Sequence, residues 1–92
     1  MATFTVKRAK HSTLSPSVVD VVNLLAHRHG VEVVNRSGSA VLYVTFDGPT
    51  PTVLGDDTLY IPAGDVYYHA DPTTVVRLIS AGAADYSVQG VV

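Results

Sequence analysis

The chain has 92 residues, 47% hydrophobic and 15% charged, with a formal net charge of −2 and no cysteine. That length holds one domain with one modest core, and the chain is too apolar and too weakly charged to be disordered. The lack of cysteine excludes disulfides, a thiolate nucleophile and a zinc–sulfur site, so stability has to come from elsewhere, self-association or docking on a partner being one common route.

Valine supplies 17 positions, and with Thr, Ile, Tyr and Phe the total is 35 of 92, against five for Glu, Lys, Gln and Met together. β-Branched and aromatic side chains lose χ1 freedom in helices and fit a pleated surface better, which predicts an all-β protein. In chain order, Thr3–Lys7 alternates like a strand, with Phe4 and Val6 on one side. His11–Pro16 reads as a loop. Val18–Leu25 has apolar spacing that tolerates a helix after Ser15-Pro16, but its four valines predict a strand. Ala26–Gly30 reads as a turn, Val31–Asn35 as a strand, and Arg36–Ser39 as a hairpin connection. Ala40–Phe46 is apolar on both faces apart from Thr45, the pattern of a central strand covered on both sides.

Asp47–Thr58 is a long loop rich in Gly, Pro and Asp, and such loops are usually functional or at an interface. Leu59–Gly64 is a short strand in which Pro62 belongs near an edge or strand end. Asp65–His69 follows, then a turn at Ala70–Pro72, a strand over Thr74–Ser80, and a last strand over Asp85–Gln89 with Tyr86 and Val88 inward. The whole predicts one antiparallel β-sandwich, jelly-roll or Ig-like, of about 7–8 short strands. We divide the chain into an extended arm, 1–12, and a sandwich domain, 13–92.

Chemistry-bearing residues are sparse. His27 and His29 form an H-x-H pair, but nothing nearby completes a ligand set, and His11 and His69 are isolated. Asp47, Asp56 and Asp57 bracket the long loop without the spacing of a calcium site, and acids in such turns ordinarily make Asx-turns. Asp65, His69 and Asp71 lie near one another in sequence, at a strand end and turn where polar residues belong. No nucleophile elbow and no phosphate-cradling glycine loop is present. The expectation is no catalytic residue, no metal and no cofactor.

The surface residues point instead to partners. Lys7, Arg8 and Lys10 stand without an acid, whereas the remainder carries three arginines against eight acids. A basic arm on an acidic body suits docking between subunits and lacks the basic face of a general nucleic-acid binder. Phe4 and the arm cations are therefore candidate contacts, with Pro49 and Pro51, whose fixed φ angles pre-order the long loop. Tyr60, Tyr67 and Tyr68 surround an expected edge. Tyr67 and Tyr68 are adjacent and so face opposite ways, which leaves at least one near solvent. Exposed tyrosines are favoured at protein and carbohydrate interfaces, with flat apolar area and a hydroxyl, but one core and one ordinary surface tyrosine fits the pattern equally well. No apolar run reaches the roughly 20 residues of a membrane span, and the basic start lacks the rest of a secretory signal.

Beyond composition, the stretches Asn35–Gly38, Tyr43–Thr52, Gly55–Gly64, Val76–Gly82 and Ala84–Val88 resemble small virion proteins of tailed bacteriophages, especially those of actinobacteria. The resemblance runs from Val31 onward, about two-thirds of the chain, and leaves out residues 1–30. It implies a β-sandwich on the capsid surface, a decoration or minor head protein made in the host cytoplasm. Its implied partners are the major capsid protein and further copies of itself, as a trimer. A tail-associated carbohydrate- or receptor-binding module is the alternative. The resemblance brings no catalytic residue.

Overall fold

The computed structural model describes residues 6–91, with side chains described for 9–25 and 29–90. Eight strands account for most of them: β1 Val6–Leu14, β2 Asp20–Arg28, β3 Gly30–Asn35, β4 Leu42–Phe46, β5 Leu59–Ile61, β6 Val66–His69, β7 Thr73–Ile79 and β8 Ala84–Val91. They form two four-stranded antiparallel sheets with orders β1-β8-β3-β6 and β2-β7-β4-β5. Only β4 and β5 are neighbours both in sequence and in a sheet; every other connection changes sheets. That order is the jelly roll. An Ig-type order would pair the first two strands.

Three sequence expectations need correction. Residues 6–12, expected in a detached arm and a loop, lie in β1, which pairs with β8 from Arg8↔Gly90 to Leu14↔Ala84. Their backbone groups are thus satisfied by a sheet neighbour rather than by solvent. The chain from Ala26 to Gly30, read as a turn, is mostly strand: β2 runs to Arg28, β3 starts at Gly30, and only His29 separates them. A bulge prepares this change of sheet. Register shifts between Asn23 and Arg28, Leu25 takes φ +69°, and its N–H donates to Asn23 Oδ1 at 2.8 Å. Finally, Arg36–Ser39 is not a hairpin connection, because β3 and β4 belong to different sheets.

β2 is a strand, as its valines predict: Val22 and Leu24 are buried while Val21 is half exposed, the period-2 signature. β4 is covered on both faces. Leu42 and Val44 face the interior, and Tyr43 and Thr45 on the opposite face are buried too. The cover over Thr45 is the 47–58 loop folding back: Thr45 Oγ1 donates to Pro49 O at 2.8 Å, and Arg77 Nη1 donates to Gly48 O at 2.9 Å.

Between the sheets lies one apolar cluster. Leu14, Val31, Val33, Ala84, Tyr86 and Val88 from the first sheet meet Val22, Leu24, Leu42, Val44, Ile61, Val76 and Leu78 from the second. Each fully buried Val or Leu contributes roughly 1.5–3 kcal/mol of apolar transfer. One buried amide sits at the cluster's margin. Asn35 Nδ2 donates to Ala40 O at 2.8 Å and Ile61 O at 3.0 Å, while Oδ1 accepts from Ser37 N at 3.0 Å. The three bonds tie β3 to the crossover toward β4 and to β5.

Candidate protein-binding surface

The apolar cluster packs between the sheets, and a second set of large apolar residues lies outside it. Several large apolar residues point to solvent: Val18, Val21 and Leu25 on or before β2, Val53 and Leu54 in the long loop, Tyr60 on β5, and Val66 and Tyr68 on β6. β2, β5 and β6 are all rim strands. Leu54, at 75% exposure, stands furthest out, and its φ of +58° marks a turn that lifts it from the loop.

β6 shows how both faces of one short strand are used. Tyr67 and His69 turn inward, where His69 stacks on Phe46 at 4.1 Å between centroids and Tyr67 packs against the same ring at 5.8 Å. Val66 and Tyr68 turn outward, opposite Val34 and Glu32 of β3. The Tyr68 ring reaches over Gly30, where an added Cβ would overlap its hydroxyl, so glycine there lets the ring lie close. On the second sheet, Tyr60 meets Tyr43 edge to face, with centroids 6.0 Å apart and planes at 71°.

The residues singled out from the sequence are thus scattered over the rims. Lys10 is exposed on β1, as are Pro49 in the long loop, Tyr60 and Tyr68. Lys7 and Arg8 are on β1, but their side chains, like all of Phe4, lie outside the described residues. One candidate is corrected: Pro51 is buried and presents no surface contact of the kind expected. Tyr67 is half-buried, with its ring packed against Phe46. The sequence reading missed Val21, Leu25, Leu54 and Val66. In a chain so rich in valine, an exposed apolar residue looks like a core one, and only the i, i+2 pairing of Val66 with Tyr68 hinted at a shared outer face.

The polar groups serve the fold. His11, on β1, lies 2.7 Å by Nδ1 from Ser87 Oγ, which also accepts from Arg36 Nε at 2.9 Å. Arg36 Nη2 donates to Tyr86 O at 3.0 Å, so this set staples β1, β8 and the end of β3 on the outer face of the first sheet. The pairing of His11 with Ser87 was invisible in sequence, the two being 76 positions apart. Neither they nor Arg36 line the shallow open cleft of about 420 Å³ formed by Ser39–Val41, Tyr43 and Ser80–Gly82. Asp47 caps β7, with its carboxylate accepting from Thr74 N and Val75 N at 2.7–3.1 Å. Asp65 and Asp71 are exposed while His69 stacks inward, and among the described residues no group of three or more His, Asp or Glu is gathered as a metal site. The side chain of His27 lies outside the described residues.

The Tyr86 hydroxyl has a displaced proton affinity. It is buried, and desolvation first, then its hydrogen bond to Asp20 and the nearby negative charge, hold it well above the ordinary phenol value. This keeps the phenol neutral and donating, a structural role.

No protein-family model matches the chain, and no curated protein is similar to it. Solved structures do resemble it. A de novo designed double-stranded β-helix superposes with TM-score 0.56 at 16% identity, over 89% of this chain and 96% of that one. The Drosophila melanogaster CENP-C cupin domain gives TM-score 0.51 at 10% identity over 89% of this chain, and Drosophila melanogaster CENP-C bound to CAL1 gives 0.50 at 8% over 87%. Of those two CENP-C chains this chain spans only 59% and 58%. At such identities the likeness is one of fold, and the fold is an eight-stranded, two-sheet antiparallel jelly roll.

Proposed function

We propose that this protein is a non-enzymatic structural component of a tailed-phage virion, a decoration or minor capsid protein that binds the shell and stabilises it. The observation that carries the reading is where its apolar surplus sits. The interior is closed by the apolar cluster, and further large apolar residues stand in solvent on three rim strands and the tip of the long loop. Such residues gain free energy only by meeting another surface, at roughly 25 cal/mol per Å² of apolar area covered. The segment-by-segment likeness to small virion proteins supplies the setting. The partners are the major capsid protein and further copies of this chain, as a trimer on the capsid surface.

Contacts to the shell or to neighbouring copies fall to Leu54, Val53 and Pro49 of the long loop, Tyr60 and Tyr68, and the β1 cations Lys7, Arg8 and Lys10. The chain carries eight acids against six Lys and Arg, so nucleic acid is not a partner. The test is to add the purified protein to particles lacking it, then measure copies bound and the temperature at which the shells release DNA. Occupancy in the hundreds with a raised release temperature supports the reading; no binding to heads sinks it.

One observation favours a second reading, a tail-associated carbohydrate- or receptor-binding module. The exposed Tyr60 ring leans on Tyr43, which lines the open cleft beside Ser39 and Ser80. A flat aromatic beside hydroxyl groups suits a sugar. Glycan binding lost in Tyr60→Ala, together with a handful of copies per particle, would decide for it.

A further inference from the structure

We propose that copies of this chain associate head to tail through the two rims of the first sheet, with β1 of one copy adding beside β6 of the next. The proposal deepens the structural reading above and rests on it only for its setting, because it concerns the isolated protein.

Direction comes first. β1 is antiparallel to β8, β8 to β3, and β3 to β6, so β1 and β6 run in opposite senses. A second copy in the same orientation therefore meets β6 with an antiparallel β1, and the sheet continues without reversal. Among the described residues each rim strand has one neighbour in its own sheet, which leaves its other side as a template for a further strand.

Charge decides which rims meet. Residues 1–19 hold Lys7, Arg8 and Lys10 and no acid. Residues 47–76 hold Asp47, Asp56, Asp57, Asp65 and Asp71 and no lysine or arginine. Of the latter, Asp65 and Asp71 are exposed at the two ends of β6, and Glu32 faces outward opposite Tyr68 on the neighbouring strand. The first sheet thus ends in a basic rim on one side and an acidic rim on the other. Like rims repel, which disfavours a symmetric β1–β1 or β6–β6 dimer, whereas unlike rims attract and also set the register. The interface is heterologous, so it closes into a ring where the rotation permits. Val66 and Tyr68, exposed on β6, add apolar area at the same contact.

The experiment uses the full chain and reads mass by sedimentation and light scattering across salt and protein concentration. The wild type is expected to run above its 9.7 kDa monomer mass at low salt and to dissociate as salt rises. Lys7→Glu with Lys10→Glu, and separately Asp65→Lys with Asp71→Lys, should each give monomers with an unchanged strand-type circular dichroism spectrum. Combining all four substitutions restores opposite signs across the contact and should restore the assembly, which simple loss of folding cannot do. A wild type that stays at monomer mass at its highest soluble concentration overturns the proposal. So does an oligomer that neither charge-reversed variant disturbs. If the wild type binds heads but remains monomeric in solution, this inference falls while the decoration reading stands.

Discussion

Tyr86 and Asp20 are joined across the interior: the phenol on β8 donates to Asp20 Oδ2 on β2 at 2.8 Å, linking the two sheets by a charge-assisted bond. The ring is fully buried, while Asp20 keeps some exposure, so the bond is part-buried. Tyr86→Phe keeps the ring and removes the donor. The expected loss is about 1.5–3 kcal/mol, the range for a hydrogen bond to a charged group, read as a lower urea midpoint with unchanged slope.

The same phenol makes stability fall in alkali. In the folded chain its proton affinity is raised by burial and by Asp20, whereas in the unfolded chain it returns to the ordinary value of about 10. Below that value both states keep the proton and the stabilisation is complete. Above it the unfolded chain releases a proton that the folded chain holds, so stability declines, by at most roughly 1.4 kcal/mol per pH unit from this group. Urea midpoints of the wild type and Tyr86→Phe measured across this range should converge as pH rises. Parallel curves would contradict the assignment.

Asn35 satisfies two carbonyls and one N–H at the margin of the core. Asn35→Ala should cost about 3 kcal/mol, because buried partners are left without bonds. Asn35→Asp should cost more at neutral pH, where a carboxylate faces the carbonyls of Ala40 and Ile61, and less as pH falls toward about 4 and the group accepts a proton. Thermal unfolding at the two pH values checks this.

Asp47 combines a φ of +49° with a carboxylate that caps Thr74 and Val75. Asn keeps the side-chain acceptor and tolerates that backbone conformation, whereas Ala keeps neither advantage. Asp47→Ala should lose about 1–2 kcal/mol, and Asp47→Asn less than half of that. Equal losses in chemical denaturation would show that the capping bonds contribute little.

Core and rim leucines should separate stability from binding. Leu78→Ala, in the centre of the packed interior, is expected to lose about 2–5 kcal/mol. Leu54→Ser, at the exposed loop tip, should stay within about 0.5 kcal/mol of the wild type while weakening attachment to heads. Denaturation paired with a particle-binding assay gives both readings.

The amino-acid sequence by itself determined the class of this protein and most of its strands. Valine- and threonine-rich runs with period-2 alternation specify pleated segments through local sterics, and Pro62, Gly64 and the 47–58 tract mark where pleating stops. The doubly covered strand at 42–46 was legible for the same reason, being apolar on both faces. Tertiary structure alone decided the pairing. Whether β3 continues beside β4 or crosses to the opposite sheet depends on where backbone hydrogen bonds find partners dozens of residues away, and a local turn signal such as Arg36–Ser39 is the same in either case. Thus β1 became a rim strand rather than an arm because β8 lies beside it, and Tyr67 turned toward Phe46 of the facing sheet. The surface followed from that closure. In a chain this rich in apolar residues, which ones remain in water is settled only when the two sheets have chosen their inner faces.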